Sequence, residues 1–171
     1  YKSAAAGDTY LFRKGTVENI TGKWYGLQLR DGKLTFAIDD GIIKTDLTVI
    51  ADSTSQQNIF TNQWKNIVVI RDAASRQIKL YIDGVSVGQK AYTSGSTGRL
   101  VPLTIGNSSE KKPYRDLIDD FRLYNYALSL SEIASLYAGN PLVSKASNPS
   151  PAHDTTEVAT EDVVLRWSGD A

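Results

Sequence analysis

Two adjacent carboxylates, Asp119 and Asp120, are the residues whose types first suggest chemistry. Hydrolysis of a glycosidic bond needs two carboxyl groups that flank one sugar. Neighbouring residues of a strand point to opposite faces, so this pair could act together only if a bulge intervened. His153, the only histidine, lies in a Pro- and Ser-rich stretch and offers no base for a Ser-His-Asp triad in a folded core. The sequence therefore predicts no catalytic site.

Aromatic side chains suggest a second kind of chemistry, the binding of sugars. The C–H faces of pyranoses pack on exposed rings, with planar hydrogen-bonding groups beside them. The predicted ligand-binding residues are Trp24, Tyr92 and Tyr114, from loops or strand ends, and the amide of Asn107. Trp64 opens a continuously apolar run and is expected in the core. The alternative is that every aromatic ring simply fills the interior.

Two Asp-Gly pairs predict β-hairpins with two-residue type I′ turns. Around Asp31-Gly32 the flanking runs alternate, and pairing Arg30 with Lys33 places three apolar pairs on one face of the hairpin. These pairs are Leu29 with Leu34, Leu27 with Phe36, and Tyr25 with Ile38. Around the second pair, Asp83-Gly84, the same logic sets Ile82 opposite Val85 and Leu80 opposite Val87.

Two further segments complete the predicted elements. The run Trp64–Arg71 is continuously apolar and β-branched, which predicts a central strand covered on both faces. The segment Leu117–Ile133 is interpreted as a strand that runs into a helix, with Phe121 and Leu123 helping to complete the sandwich. Helix-end signals follow: a capping box at Ser129 and Glu132, a hydrophobic staple at Leu128 and Ile133, and a left-handed cap at Gly139.

These elements predict an all-β fold, an antiparallel two-sheet jelly-roll sandwich with one short C-terminal helix. A generic all-β domain of another topology is the alternative, because periodicity does not give strand order. The 19 basic and 19 acidic side chains cancel. The balance argues against nucleic acid and membrane surfaces as partners, since both attract clustered positive charge. With no cysteine, disulfides, thiol nucleophiles and Cys-ligated zinc are excluded.

Changes in amino-acid composition along the chain predict three parts. Residues 1–139 form the jelly-roll domain, residues 140–151 a Pro/Ser linker, and residues 152–171 the truncated start of a second β-sandwich module. A single amphipathic strand, Thr160–Trp167, has nothing of its own to pair with. The alternative is that this strand joins a sheet of the first domain. The opening Tyr1-Lys2-Ser3 suggests a piece of a longer chain.

Three segments together resemble the concanavalin A-like lectin/glucanase superfamily, specifically its laminin G-like jelly rolls and their pentraxin relatives. They are Trp64–Asp72, then Ile78–Gly84, and finally the stretch from Ile118 to Ile133. The resemblance covers about Tyr10–Gly139 and implies further N-terminal strands, which are missing here or supplied by upstream sequence. The tail as far as Trp167 resembles the first strand of a fibronectin type III-like or immunoglobulin-like module.

The resemblance implies Ca²⁺ as a structural cofactor, held by oxygen ligands from loops. The metal ligands it implies are Asp119, Asp120, Asp116 and Glu110, which lie with Asn107 around the penultimate loop, and Asp39-Asp40 could approach from another loop. The alternative is that Asp116 caps a strand and that Asp119 or Asp120 accepts backbone N–H groups.

The resemblance also implies a function. It favours a non-catalytic carbohydrate-binding or adhesion module of a secreted or cell-surface, bacterial, multidomain protein. Its partners would be a glycan or an extracellular protein, bound through loops at one edge of the sandwich, and adjacent domains of the same chain. Neither nucleic acid nor membrane insertion is expected. The alternatives are a structural spacer without a ligand, and a glycoside hydrolase of the glucanase branch, whose Glu-x-Asp-x-x-Glu pattern does not occur here.

Overall fold

The fold comes from a computed structural model that describes residues 9–15, 23–50, 58–93, 95–98, 101–106 and 117–139. Within these ranges the chain forms strands and one helix. In chain order they are β1 (Thr9–Lys14), β2 (Lys23–Arg30), β3 (Lys33–Asp40), β4 (Lys44–Ile50), β5 (Ile67–Asp72), β6 (Gln77–Ile82), β7 (Val85–Ala91), β8 (Leu103–Ile105) and α1 (Leu130–Tyr137). The helix α1 has 8 residues, so no helix in the described ranges could cross a membrane.

The strands form two antiparallel sheets that pack face to face. One sheet has the order β4-β3-β2-β1-β8, and the other has the order β5-β6-β7. The main core lies between them, with Leu34 and Ile38 of β3 in the same buried cluster as Ile78 and Leu80 of β6. The predicted all-β sandwich of the jelly-roll class, with one short C-terminal helix, is confirmed.

The hairpin of β2 and β3 has the predicted register. Leu29 pairs with Leu34, and the other two apolar pairs follow at intervals of two residues. Asp31 and Gly32 both have positive φ, 48° and 70°, as a type I′ turn requires. Because one face of this hairpin joins the core, the alternate residues of β2 and β3 must face outward.

The hairpin of β6 and β7 departs from its predicted register by one residue. Ile82 pairs with Val85 as expected, but Leu80 lies opposite Gly88 and not opposite Val87, because a bulge intervenes. A Cβ atom at Gly88 would lie only 3.1 Å from Val49 Cγ1, so β7 passes very close to β4 of the other sheet. The bulge thus places Gly88, which has no side chain, where β7 contacts β4.

Strand β5 is covered on both faces, as its continuously apolar run predicted. Val69 packs against the main core, whereas Val68 and Ile70 belong to a second cluster with Ile133 of α1. The predicted central position is not observed, since within the described residues β5 pairs only with β6. Helix α1 therefore covers the outer face of the three-stranded sheet.

Both ends of α1 confirm the sequence signals. Ser129 Oγ accepts the Glu132 backbone N–H at 3.3 Å, and Glu132 Oε2 accepts the Ser129 backbone N–H at 2.7 Å. The Ser129 hydrogen bonds lower the pKa of Glu132. Leu128 and Ile133 are buried in one cluster, as the staple requires. Gly139 has φ 76° and donates its N–H to the Leu136 carbonyl at 3.1 Å.

The strand predicted before the helix is not formed, apart from a single bridge at Leu117. Asp120 has φ 53°, a left-handed conformation that cannot continue a strand. Leu123 is exposed, so it does not complete the sandwich, whereas the Phe121 ring contacts the Phe12 ring edge-on at 5.6 Å. Only part of the predicted closure is therefore present.

Candidate functional site

A groove of about 450 Å³ lies on the outer face of the five-stranded sheet. Its lining comes mainly from the alternate residues of β2, β3 and β4 that face away from the core, so the same period of two that builds the core also builds the groove. The polar side chains that line it include Gln28, Arg30, Lys33, Thr35, Lys44 and Thr48.

The register of the strands fixes the neighbours of each groove residue. Gln28 pairs with Thr35 across β2 and β3, and Thr35 pairs with Thr48 across β3 and β4. The Thr35 and Thr48 hydroxyl oxygens are 2.9 Å apart and hydrogen-bonded. The groove therefore presents a row of amide and hydroxyl groups on a hydrogen-bonded sheet.

Aromatic rings lie at the base of the groove, but they are buried. Tyr10, Trp24 and Ala37 form a separate buried cluster on this face, with the Trp24 side chain only 3% exposed. The Arg13 guanidinium lies 5.6 Å from the centroid of the Trp24 ring, and Lys44 Nζ lies 5.5 Å from it. The expectation that Trp24 is an exposed platform for a sugar is therefore wrong, since neighbouring side chains cover its ring.

Charged groups alternate along the rim. Arg30 Nε lies 3.4 Å from Asp31 Oδ2, and Lys44 Nζ lies 2.9 Å from Asp46 Oδ2. Such exposed ion pairs contribute little to stability, so their members can exchange partners with a ligand. Lys33 stands directly opposite Arg30 in the register of the hairpin.

Tyr92 is also buried, contrary to the expectation of an exposed ring. It is 5% exposed and belongs to the main core between the sheets. The Arg71 guanidinium lies 5.1 Å from the centroid of its ring, and Arg71 also donates to the Gly95 carbonyl at 2.9 Å. Trp24 and Tyr92 thus lie in different clusters and do not form one site. The other two predicted ligand residues, Tyr114 and Asn107, lie outside the described residues.

Trp64 shows the reverse error. It was expected in the core, but its side chain is 52% exposed. It lies three residues before the first residue of β5, where the chain is held to the β6–β7 turn. There Asp83 accepts hydrogen bonds from Lys65 Nζ at 2.7 Å and from the Asn66 backbone N–H at 3.0 Å.

The carboxylate of Asp40 holds two loops together at one end of the sandwich. Its Oδ1 accepts the backbone N–H groups of Ile42 at 2.8 Å and Ile43 at 2.7 Å, and its Oδ2 accepts that of Gly95 at 2.6 Å. These three hydrogen bonds, that of Ile43 first, lower the pKa of Asp40 to about 2. Asp39 likewise accepts the Gly41 N–H at 2.7 Å. Both carboxylates are thus engaged by the backbone.

This arrangement predicts a specific pH dependence for the variant Asp40→Asn. A carboxylate whose pKa is lower in the folded state stabilises the fold above its unfolded pKa, near 4, and this contribution is lost as the pH falls towards 2. Urea unfolding at pH 7 should therefore show Asp40→Asn to be less stable than the unmodified protein. The difference should shrink between pH 4 and pH 2. A difference that stays constant over this range would contradict the assignment.

Asp31→Asn is the matched control, because the Asp31 side chain is 81% exposed at the tip of a hairpin. Its effect on stability should be small at pH 7 and should change little down to pH 2.

Asp119 and Asp120, the predicted metal ligands in the described part of the chain, both contact neighbouring protein groups. Asp119 Oδ1 accepts the Asp120 backbone N–H at 2.7 Å, which is the alternative that the sequence left open. Asp120 Oδ1 lies 2.7 Å from Arg122 Nε, and this guanidinium would repel a second cation. Within the described ranges no three His, Cys, Asp or Glu residues are grouped as a metal site. Asp116 and Glu110 lie outside those ranges, so calcium binding there stays a prediction.

The residues that line the groove were missed at the sequence level, although a signal for them exists. Once Leu29 and Leu34 are placed on the core face, Gln28 and Thr35 must face the other way. The pattern alone does not mark them as a site, because any half-exposed sheet also shows a polar outer face. A concave shape distinguishes the two cases, and only the folded structure reveals it.

Comparison with known proteins identifies the fold. The CBM40 carbohydrate-binding module of the IT-sialidase of Ruminococcus gnavus is 16% identical, with a TM-score of 0.63 over 80% of this chain and 78% of that one. The binding domain of Paraclostridial Mosquitocidal Protein 1 is 19% identical, with a TM-score of 0.58 over 77% of this chain and 31% of that one. The receptor-binding domain of botulinum neurotoxin mosaic serotype C/D is 17% identical, with a TM-score of 0.52 over 80% of this chain.

The chain spans 33% of that neurotoxin domain, so it corresponds to one part of it. These likenesses concern the fold, and no curated protein matches the sequence significantly. The second β module predicted for residues 152–171 lies outside the described residues and stays a prediction. A sequence profile of laminin G-type domains matches residues 1–134. The chain therefore belongs to the concanavalin A-like lectin/glucanase superfamily.

Proposed function

We propose that this chain is a non-catalytic carbohydrate-binding or adhesion module that takes its ligand in the groove of the five-stranded sheet. The observation that carries the proposal is the groove itself, about 450 Å³ in volume and lined by amide, hydroxyl, guanidinium and ammonium groups. This density of donors and acceptors matches a ligand rich in hydroxyl groups. Since the groups stand on paired strands, they are held in place before the ligand arrives.

The buried base of the groove determines how such a ligand would be held. The Trp24 ring is covered by Arg13 and Lys44, so a pyranose cannot stack on it. Binding in the groove therefore depends on hydrogen bonds and charge. The proposed site is on the face of a sheet, whereas the sequence suggested loops at an edge.

The relatives support a binding role. The names of the matched structures describe a carbohydrate-binding module and receptor-binding or binding domains of toxins. By this analogy of fold, the partner of the present chain is a glycan or an extracellular protein, and the chain belongs to a secreted or cell-surface, multidomain protein.

The groove carboxylates give no support to the glucanase alternative. A glycosidase needs one carboxyl group that donates a proton and a second one that attacks or activates water. Asp31 and Asp46 are each held in an ion pair, with Arg30 and Lys44 respectively. An enzymatic activity of a parent protein would reside in another domain.

The test is binding of the full chain to a glycan array, followed by calorimetry with each saccharide that binds. Gln28→Ala should weaken binding about tenfold, the size expected for the loss of one or two hydrogen bonds from a groove residue. Gln89→Ala is the matched control, because Gln89 is exposed on β7 of the other sheet, and its affinity should be unchanged.

Two outcomes would contradict the proposal. If the folded chain binds no saccharide, the spacer alternative is favoured. If Gln28→Ala and Gln89→Ala both bind as the unmodified protein does, the ligand site lies elsewhere.

A further inference from the structure

We propose that the groove selects anionic glycans, saccharides that carry carboxylate or sulfate groups, and that Arg30 and Lys33 bind the anionic group. This inference rests on the proposed function of the groove and names its ligand class.

The two cations lie next to each other beside the hairpin turn. Arg30 and Lys33 form the last cross-strand pair before the Asp31-Gly32 turn, and both line the groove. Residues that pair directly across an antiparallel ladder project from the same face, about 5 Å apart at their Cβ atoms. Like charges in this position destabilise a hairpin. An anion bound between them removes the repulsion, so the pair is arranged to gain from an anionic ligand.

The surroundings leave this positive charge available. Lys33 has no ion-pair partner among the described residues. Asp31 pairs with Arg30, but at 3.4 Å and from a side chain that is 81% exposed, so solvent screens it strongly. A carboxylate or sulfate group can therefore replace Asp31 beside Arg30 and reach Lys33 as well. The guanidinium offers such a group two parallel hydrogen bonds.

The groove lining as a whole is also positively charged. It contains three cations, Arg30, Lys33 and Lys44, and two carboxylates, Asp31 and Asp46. The buried guanidinium of Arg13 lies next to this lining, against the rings of Tyr10 and Trp24. The protein as a whole has a net charge of 0. Positive charge in a concave site of a neutral protein attracts anions there, because the low-dielectric walls focus the field.

The test uses the full chain and the variant Lys33→Glu. The probes are a hexamer of galacturonic acid, a sulfated glucose hexamer and the unsulfated glucose hexamer, each measured by calorimetry. The unmodified protein should bind at least one acidic probe about tenfold or more tightly than the neutral one, and should lose that preference as salt rises from about 50 to about 300 mM. Lys33→Glu should weaken binding of the acidic probe at least tenfold and thereby abolish the preference for it over the neutral probe.

Loss of folding cannot explain such a result, because the introduced carboxylate faces Arg30. It turns a repulsive cross-strand pair into an attractive one, so the melting temperature should be equal to or higher than that of the unmodified protein. Lys23→Glu is the matched control. It makes the same charge change at the other end of β2, about 23 Å away by the rise of a strand, and lies outside the groove lining. It should leave all three affinities within about twofold.

The outcomes separate the two proposals. If the neutral and acidic probes bind equally and Lys33→Glu changes neither, anion selection is overturned while carbohydrate binding stands. If Lys23→Glu weakens the acidic probe as much as Lys33→Glu does, the preference comes from overall charge and the assignment to Lys33 is overturned. If no probe and no arrayed glycan binds, both proposals fail. A preference for only one acidic probe supports the inference and distinguishes carboxylate from sulfate.

Discussion

Replacing Leu80 by alanine is expected to lower the free energy of unfolding by about 2 to 5 kcal/mol. Leu80 is 0% exposed at the centre of the three-stranded sheet and packs in the cluster that joins both sheets. Removal of its branched end leaves a cavity between two hydrogen-bonded sheets. These sheets cannot close around the cavity without disturbing their ladders, so the loss should lie in the upper part of that range.

Equilibrium unfolding in urea measures this effect. Val85→Ala is the control from the same hairpin, because the Val85 side chain is exposed, and its effect should stay within about 0.5 kcal/mol. Similar losses for the two variants would mean that the sheets do not pack face to face through Leu80.

Gly15→Ala is expected to be nearly as destabilising, for a reason that lies in the backbone. Gly15 has φ 92°, and a Cβ atom there would lie 2.6 Å from both the Lys23 carbonyl oxygen and Trp24 Cβ. An unfavourable φ costs about 1 to 3 kcal/mol. The steric clash adds to this cost because one of the atoms it meets belongs to the backbone and cannot rotate away. We therefore expect a loss of about 2 to 4 kcal/mol in urea unfolding.

Gly139→Ala separates the two contributions to that loss. Gly139 has a similar φ of 76°, but a Cβ atom there would have no atom within 4 Å. This variant should lose only about 1 to 2 kcal/mol, the cost of the left-handed conformation for a residue with a side chain. If it is as unstable as Gly15→Ala, the close approach of β1 and β2 at Gly15 contributes nothing.

Local features of the fold could be predicted because they depend on neighbouring residues. The Asp31-Gly32 turn specifies its own geometry, and the period of two around it then fixes the register of β2 and β3. The capping box of Ser129 and Glu132 is likewise complete within four residues. In such cases the physical cause lies within the segment that shows the pattern.

The errors arose where distant parts of the chain meet. Leu80 pairs with Gly88, which passes close to Val49 in the other sheet, and no pattern within β6 and β7 reveals this contact. Trp24 was expected to be exposed and Trp64 to be buried, and both expectations were wrong. Burial of Trp24 depends on Arg13 of a neighbouring strand. The groove likewise could not be predicted from any one segment, since three strands together form its shape.

The different environments of Trp24 and Trp64 give the protein built-in fluorophores. The Trp24 indole is buried beneath the groove and donates its N–H to Asp39 Oδ2 at 3.2 Å, whereas Trp64 is half in solvent. A dissolved quencher such as acrylamide should reach Trp64 and spare Trp24. In a variant without Trp64 and Trp167, the remaining emission comes from beneath the groove. Any ligand that moves Lys44 away from the Trp24 ring would then alter this emission, so that occupancy of the groove can be followed without a label.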